Sequence, residues 1–302
     1  MFNIIVRRLL AMVPTALLVV VAVFLLIHAV PGDPIDALLG ERASVADREA
    51  LRVALGLHLP LGEQLLRFLG GLVQGDWGTS LVSQKPVLGL LLERLPATCL
   101  LALGAMAVAL SGGLLLGLLG SGRWRRGVDN LTLVLAVVPS FVWGPLLVLV
   151  FAVGLGWLPV SGMSGLLSGI LPSVTLGVGM AAVLARMLAE SLQHEQQADY
   201  LRTLLAKGGS GARGLWRHAL PNALLPTVQL LFLQLGMVLT GAVLTEAVFG
   251  WPGVGNLLVE ALHQRDYPVI QGCLLLISLI YMVCVLLADV VSAWLDPRVR
   301  GQ

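Results

Sequence analysis

The chain has 302 residues, of which 57% are hydrophobic and only 12% are charged, and its mean hydropathy is +0.91. This composition is typical of a membrane protein with several spans, and it excludes a soluble globular domain. The formal net charge of +2 does not indicate a nucleic-acid partner.

Six apolar windows follow one another along the chain, each of about 20 residues or more and therefore long enough to cross a hydrocarbon layer of about 30 Å. The first is longer than the apolar run of a secretory signal, and no Ala-x-Ala cleavage site follows it, so we expect a retained helix. The sequence predicts an all-α membrane protein with six transmembrane helices, in the windows 9–30, 96–119, 131–154, 166–189, 224–248 and 270–294.

Orientation follows from the basic residues, because short loops rich in Lys and Arg stay in the cytoplasm. Two arginines precede the first window, which places the amino terminus inside, and with six spans the carboxyl terminus is inside too. The basic residues expected on the cytoplasmic side are Arg7, Arg8, Arg123, Arg125, Arg126, Arg202, Lys207, Arg213, Arg217, Arg298 and Arg300.

Prolines and glycines in the windows predict local packing. Pro139 and Pro145 interrupt the third window, and such a kink either lines a pathway or serves helix packing. The second window contains Gly113-x-x-x-Gly117, a spacing that permits the close approach of another helix.

Few ionisable residues lie within the windows. Arg186, Glu190, Glu246 and Asp289 each fall within a turn or two of a predicted interface, where a charged group can reach water. No row of acidic residues crosses the membrane, so a proton or sodium relay is not indicated.

The segment 31–95 is expected on the outer side and is too long for a simple turn. Ser44 and Asp47 have the spacing of a capping box that opens a short helix toward Leu57. After Pro60, apolar residues recur at helical spacing and predict an interfacial helix. Gly75-Asp76-Trp77-Gly78 ends it and places a Trp where membrane interfaces favour one.

Several kinds of chemistry are not supported. Cys99, Cys273 and Cys284 suit apolar packing and indicate neither a disulfide framework nor a metal site. No phosphate-binding Gly-x-x-x-x-Gly-Lys-Ser/Thr occurs, so we expect no ATP hydrolysis, no catalytic residue and no cofactor in this chain. Gly162-Met163-Ser164-Gly165 resembles the motif of intramembrane serine proteases, but no histidine falls within a late span to accept the serine proton.

One loop between apolar windows is unusually polar, and we call residues 195–226 the polar loop. Its first part predicts a short helix with Leu201, Leu204 and Leu205 on one face, ended by Gly208 and the glycine after it. An apolar ridge flanked by charges suits docking into a groove of a soluble partner.

The second part of the polar loop predicts another short helix. It runs from Gly211 to Leu220 and is expected to stop at Pro221, with Pro226 then opening the fifth span. The product is a helix-turn-helix on the cytoplasmic face.

The polar loop resembles the EAA loop of binding-protein-dependent ABC importer permeases, whose pattern is Glu-Ala-Ala, three residues, Gly, nine residues and Ile-x-Leu-Pro. Gly208 and Leu220-Pro221 match, while Arg202-Thr203-Leu204 takes the Glu-Ala-Ala positions and His218 the Ile position. Residues 199–208 and 217–226 are closer to the dipeptide, oligopeptide and nickel branch, except that Leu204 stands where that branch commonly has Ala.

Further segments resemble the B-type permease subunit of that branch over nearly the whole chain. They are Arg7-Arg8-Leu9, Val30-Pro31-Gly32-Asp33-Pro34, Gly56-Leu57, Gly75-Asp76-Trp77-Gly78-Thr79-Ser80, Leu95-Pro96-Ala97-Thr98, Glu246-Ala247-Val248-Phe249-Gly250-Trp251-Pro252-Gly253-Val254-Gly255, Arg265-Asp266-Tyr267-Pro268-Val269 and Asp296-Pro297-Arg298.

The resemblance implies a type I ABC importer permease fold in the bacterial inner membrane. It divides the chain into an amino-terminal end with the first transmembrane helix (1–30), an extracytoplasmic insertion of short helices (31–95), a permease core (96–294) that contains the polar loop as its coupling helix-turn-helix, and a cytoplasmic tail (295–302).

The implied partners are a C-type permease, two ATPase subunits that bind ATP and magnesium, and an extracytoplasmic solute-binding protein. Residues implied in ATPase coupling are Asp199, Tyr200, Arg202, Thr203, Leu204, Lys207, Gly208, His218, Leu220 and Pro221. Residues implied on the side of the binding protein are Trp251, Pro252, Gly253, Gly255, Arg265 and Asp266.

The substrate stays open within this branch, because much of the selectivity lies in the binding protein. Dipeptides or oligopeptides are the first expectation, since the spans lack the His, Cys or acidic cluster that a bare metal ion requires. A nickel or metallophore importer is the alternative, because Ser83-Gln84-Lys85-Pro86-Val87-Leu88 also resembles nickel-type members. An intramembrane protease is a distant third.

Overall fold

The structure is a computed structural model that describes residues 2–29, 44–54 and 58–295. Those residues contain no β-strand and only one isolated bridge, between Thr79 and Pro86, which confirms the all-α prediction. In chain order the helices are α1 Phe2–Ala29, α2 Val45–Ala54, α3 Leu61–Val73, α4 Val87–Gly120, α5 Arg125–Val137, α6 Ser140–Leu147, α7 Ile170–Gln196, α8 Asp199–Ala206, α9 Gly211–Gly214, α10 Leu220–Phe249, α11 Val254–Gln264 and α12 Tyr267–Leu295.

Membrane spans can be counted among the described residues by helix length and apolar character. Five segments qualify alone, and up to seven do so if two bent helix pairs each cross as one span. The predicted six lies within this range. The five are Val6–Leu26, Val87–Gly120, Leu167–Gln196, Gly211–Gly236 and Tyr267–Trp294, and the pairs are Arg125–Val137 with Ser140–Gly154 and Ala242–Phe249 with Val254–Gln264.

The third predicted window is broken rather than kinked. The axes of Arg125–Val137 and Ser140–Gly154 differ by 98°, and Val138 between them is extended, with ψ of 120°. Pro139 favours this break, since a proline ring disfavours the helical conformation in the residue before it. Pro145, by contrast, lies inside α6, which continues into a π-helical segment at Val148–Gly154.

The chain divides into two compact units, of which the first comprises Met1–Leu9, Cys99–Trp251 and Tyr281–Gln302. Its centre is α7, against which α5, α6 and α10 pack. More than half of the α7 residues are buried, because α7 is apolar and lies among several other helices.

Glycines bring α4 and α7 unusually close within this unit. A Cβ on Gly113 would lie 2.8 Å from the Leu184 Cβ, and one on Gly117 would lie 2.9 Å from the Leu188 Cβ. On the α7 side, a Cβ on Gly177 would lie 2.7 Å from the carbonyl oxygen of Ala105. These distances confirm that Gly113-x-x-x-Gly117 permits a close helix approach.

Two of the ionisable residues in the windows have a defined place in the first unit. Asp289 on α12 forms an ion pair with Arg8 on α1, with a distance of 3.2 Å between Oδ2 and Nε. Glu246 is fully buried, so the expectation that it reaches water is wrong. The chain after α10 turns back at this point, and the Trp251 amide donates to the Glu246 carbonyl oxygen at 2.8 Å.

The second unit comprises Leu10–Thr98 and Pro252–Ile280. The two predicted outer helices are present as α2 and α3, and Phe24 of α1 contacts Phe68 of α3 with ring centroids 5.9 Å apart. Gly75 and Gly78, with φ of +80° and +84°, terminate α3 as predicted. The amino end of α11 is fastened by the Val254 amide, which donates to Thr98 Oγ1 at 2.8 Å.

Some sequence predictions fall outside the described residues. These are the outer segment 31–43, the end of the helix expected to reach Leu57 together with Gly56-Leu57, the Val30-Pro31-Gly32-Asp33-Pro34 match, and the tail with Asp296-Pro297-Arg298 and Arg300.

We expect Gly177→Ala to destabilise the protein, because the new methyl would meet the backbone oxygen of Ala105, which cannot move without shifting α4. Overpacking of this kind costs about 1–3 kcal/mol, so the melting temperature of the purified protein in detergent should fall. Gly179→Ala is the matched control on the same helix, since its Cβ would lie 3.9 Å from the nearest atom. An unchanged melting temperature for Gly177→Ala alone would contradict the close packing.

Candidate functional site

The polar loop begins with α8, and two glycines end that helix. Gly208 has φ of +84°, a left-handed conformation that residues with a Cβ rarely adopt. The Gly208 amide donates to the Leu205 carbonyl oxygen and the Gly209 amide to the Leu204 carbonyl oxygen, both at 3.0 Å. The last carbonyls of α8 are thereby satisfied, and the predicted helix end is confirmed.

The second half of the polar loop differs from the prediction. The Ser210 hydroxyl caps α9 by accepting from the Arg213 amide at 3.3 Å, and a π-helical segment then joins α9 to α10 at Leu220. The expected stop at Pro221 is wrong. Helical structure is continuous from Gly211 through the π-helical segment into α10, so Pro221 and Pro226 both lie within it.

An apolar cluster fastens the polar loop to the membrane helices. Its members come from α4, α7, α8, the π-helical segment and α10, so that five elements share one core. The buried members are Leu188, Leu192, Leu201, Ala219 and Ala223, and the partly buried members are Leu114, Leu118, Leu204, Leu215, Leu220 and Leu224.

The apolar face of α8 points mainly into this cluster, not outward as predicted. Leu201 is only 6% exposed and Leu204 packs against the cluster, whereas Leu205 is 53% exposed. A Cβ on Gly214 would lie 3.2 Å from Leu201 Cδ2, so the chain of α9 passes directly over α8. The predicted docking ridge is therefore reduced to Leu205.

A polar contact connects the start of α8 with its two neighbours. The Tyr200 hydroxyl donates a short hydrogen bond to Glu195 Oε2 at the end of α7, and Asn222 Nδ2 of α10 donates to the Tyr200 oxygen at 3.3 Å. Asn222 Nδ2 also lies 3.5 Å from Glu195 Oε2. Neither Glu195 nor Asn222 was predicted as a site residue, although Asn222 falls within the segment that resembles the family.

Desolvation and the hydrogen bond to Glu195 raise the pKa of Tyr200 above its ordinary value of 10.0. The phenol therefore keeps its proton at neutral pH. Because the pKa of Tyr200 is higher in the folded protein than in the unfolded chain, the protonated phenol stabilises the fold fully below pH 10.0. This contribution is lost as the pH rises through the pKa that Tyr200 has in the folded protein.

The remaining predicted coupling residues lie at the surface of the polar loop. Asp199 and Arg202 form an exposed ion pair at 3.6 Å, and the Thr203 hydroxyl donates to the Asp199 carbonyl oxygen at 2.9 Å. Lys207, Gly208 and Pro221 are exposed, while His218 and Leu220 are partly buried. Trp216, which was not predicted, is 58% exposed and adds an apolar group to this surface.

The residues predicted on the side of the binding protein are mostly buried. Trp251 is 1% exposed, Gly253 and Gly255 are buried, and Pro252 is partly buried. These residues build the loop itself rather than a surface for another protein. Arg265 is exposed, so a docking role for this region stays a prediction that now centres on Arg265.

Asp266 has a structural role in the second unit. It is 3% exposed, and its carboxylate accepts hydrogen bonds from the Ser80 hydroxyl at 2.5 Å, the Leu81 amide at 3.1 Å and the Val82 amide at 3.4 Å. Asp266 thereby holds the turn that leads into α4. Three donors to one carboxylate satisfy a buried charge that would otherwise be costly.

Comparisons with known proteins show which membrane components the chain is similar to. Residues 109–301 match the family model described as binding-protein-dependent transport system inner membrane component, and residues 1–102 match the model of the N-terminal part of such membrane components. The chain is 43% identical over 305 residues to the glutathione transport system permease protein GsiC of Pectobacterium atrosepticum. It is 40% identical over 304 residues to the proteins of the same name from Escherichia coli strain K12 and Shigella dysenteriae serotype 1. Each of these alignments covers 99% of both chains.

We expect Tyr200→Phe to loosen the polar loop, because it removes the hydroxyl that links α7, α8 and α10 and leaves the ring in place. A hydrogen bond contributes about 1 kcal/mol, so amide hydrogen exchange in α8 should accelerate about fivefold. Thr203→Val is the control, since that hydroxyl bonds only within α8. Equal exchange rates in Tyr200→Phe and the parent protein would show that the contact does not hold the loop.

Proposed function

Because the chain belongs to the family of binding-protein-dependent transport system inner membrane components, we propose that it is the B-type permease subunit of an ABC importer for short peptides and that the polar loop couples it to ATPase subunits. The chain is a transporter subunit, and its relatives are permease proteins of ABC importers. The apolar cluster that joins the polar loop to the membrane helices is the observation that carries the coupling proposal.

The cluster supports coupling because it makes the loop part of the transmembrane core. Leu201 of α8 is buried together with Leu188 and Leu192 of α7 and Ala223 of α10. Protein interiors are close-packed and transmit displacement rather than absorb it. A push on α8 is therefore carried directly to α7 and α10.

The outer surface of the polar loop provides the contact for an ATPase. Leu205 and Trp216 are exposed apolar groups, and Arg202 and Lys207 are exposed charges next to them on the chain. A short helix with an apolar group flanked by charges suits insertion into a groove of a soluble protein. ATP and magnesium would be bound by that partner, not by this chain.

Two observations support the proposed orientation, with both termini in the cytoplasm. The arginines and lysine of the loops before α5 and around α8 lie on the predicted inner side. The ion pair between Arg8 and Asp289 joins the amino end of α1 to the last turns of α12, which supports a common face for these two helix ends. The solute-binding protein and the short helices α2 and α3 are then extracytoplasmic, and a C-type permease completes the pathway.

Peptides are the substrate class that the comparisons favour. The relatives that cover the whole chain are named for transport of glutathione, which is a short peptide. A nickel or metallophore importer remains the second candidate, because the turn 83–88 resembles nickel-type members. The protease alternative has no remaining support, since Ser164 is an exposed residue of a glycine-rich loop in a chain that belongs to a transporter family.

We expect Gly208→Val to abolish transport while the complex still assembles. A β-branched residue at φ of +84° is strained, so the end of α8 must rearrange and the contact with the ATPase is displaced. The measurement is ATP hydrolysis by the reconstituted complex with and without its binding protein, and stimulation by the binding protein should be lost. Gly211→Ala is the control, because its φ is not positive and no atom lies within 4 Å of the new Cβ. Normal stimulation in Gly208→Val would refute the coupling role of the loop.

We expect the complete importer to take up radiolabelled glutathione. Unlabelled glutathione and dipeptides should reduce this uptake by competition, whereas nickel ions and nickel chelates should not. The measurement is transport of radiolabelled glutathione into vesicles that contain the permeases, the ATPases and the binding protein encoded with them. Uptake of a radioactive nickel chelate without any uptake of glutathione would replace the peptide proposal with the metallophore one and leave the coupling proposal intact.

A further inference from the structure

A cavity lies at the end of α4, in the first unit, next to the most basic turn of the described chain. It has a volume of about 220 Å³ and is lined only by apolar side chains and one glycine, namely Leu116, Leu119, Trp124, Gly127, Val128 and Leu131. The cavity faces outward, because Leu119, Trp124 and Leu131 are 41%, 59% and 46% exposed. An apolar recess of this kind on a membrane helix accepts hydrocarbon.

The turn beside the cavity carries a strong excess of positive charge. Arg123, Arg125 and Arg126 are all exposed, and the acidic residue Asp129 lies 3.7 Å from Arg125. The guanidinium carbon of Arg123 lies 5.4 Å from the ring centroid of Trp124. Trp124 therefore belongs both to the cavity and to the basic turn.

The position of these groups matches the two ends of a phospholipid. The span Val87–Gly120 ends immediately before the basic turn, which places the turn at the level of the lipid headgroups. Trp favours that interface, and arginines there attract anionic headgroups. The apolar cavity lies on the membrane side of the arginines and would receive the acyl chain.

We propose that the cavity and the three arginines form a binding site for an anionic phospholipid of the cytoplasmic leaflet. The headgroup phosphate pairs with Arg125 and Arg126, and Arg123 is held over Trp124 at the rim. The upper part of one acyl chain fills the cavity between α4 and α5. The lipid thereby joins the end of α4 to the start of α5 where no buried polar contact does so among the lining residues.

The test uses the complete importer reconstituted in phosphatidylcholine bilayers that contain a minor fraction of brominated lipid. Bromine quenches tryptophan fluorescence on contact, and the Trp124 signal is the difference between the parent complex and Trp124→Phe. Brominated phosphatidylglycerol should quench Trp124 at a much lower mole fraction than brominated phosphatidylcholine does. Equal quenching by the two lipids overturns the proposal, and so does the absence of quenching, which would mean that a partner protein covers the cavity.

Two variants separate the headgroup contact from the acyl contact. The double variant Arg125→Gln and Arg126→Gln leaves Arg123 over Trp124. It should weaken the preference for phosphatidylglycerol about tenfold. Each basic residue near an anionic surface contributes roughly a fivefold preference, and Asp129 offsets part of the Arg125 charge. Arg213→Gln with Arg217→Gln removes the same number of charges from the polar loop and should leave Trp124 quenching unchanged. Gly127→Leu adds an apolar side chain to the lining of the cavity, at a position where no atom lies within 4 Å of the new Cβ, and it should reduce quenching by both lipids.

The source of the anion is decided in the same experiment. Inorganic phosphate or glycerol phosphate in the aqueous phase should not relieve the quenching, because neither has an acyl chain to fill the cavity. Relief at millimolar concentration would show a site for free phosphate and would overturn the lipid assignment. An unchanged preference in the Arg125 and Arg126 double variant would overturn it as well.

Discussion

The attachment of the polar loop to the membrane helices depends on the burial of a few leucines at one end of the first unit. Leu201 leaves a short helix of eight residues and enters a core formed by Leu188, Leu192 and Ala223. An isolated helix of that length is not stable in water, so the burial both folds α8 and fixes its position. Each buried leucine contributes about 1.5–3 kcal/mol, whereas the exposed pair Asp199–Arg202 contributes about 1 kcal/mol at most. The loop is therefore held by its apolar face, and its charges are left for a partner.

The same core continues along α4 and α7 because glycines remove the side chains that would separate them. Gly113, Gly117 and Gly177 each place a backbone against a neighbouring side chain or carbonyl. Without a hydrophobic driving force between helices in lipid, such close contact is the main source of helix association. The region between the polar loop and the middle of the spans is thus closely packed, which a mechanical coupling requires.

The sequence predicted the helices well wherever one residue type determines the backbone. Apolar windows marked the long apolar helices but not the number of spans, Pro139 marked the broken helix, and Gly208 marked the end of α8. Prediction was less successful for residues whose role depends on the surroundings. Periodicity identified Leu201, Leu204 and Leu205 as one face, but it could not tell that α4 and α7 cover most of that face. Pro221 predicted a helix end, whereas helical structure continues through it from the π-helical segment into α10. In the outer loop, Trp251 and Asp266 resemble family motifs because they build the loop, and resemblance carries no information about exposure.

Positive charge in a loop of a membrane protein can favour the cytoplasmic side, and it can attract an anionic lipid headgroup. The two basic loops of this chain differ in what lies next to their charges. Both the polar loop and the turn before α5 are basic, as the proposed cytoplasmic location of both predicts. In the polar loop the space next to the charges is filled by the chain's own leucines, as Leu204 and Leu215 show. At the turn before α5 the corresponding space is an open apolar cavity. The orientation rule concerns only the charges, so it does not explain why arginines and an exposed Trp124 lie at the rim of an apolar recess. A phospholipid accounts for both features, since its headgroup needs the charge and its acyl chain needs the cavity.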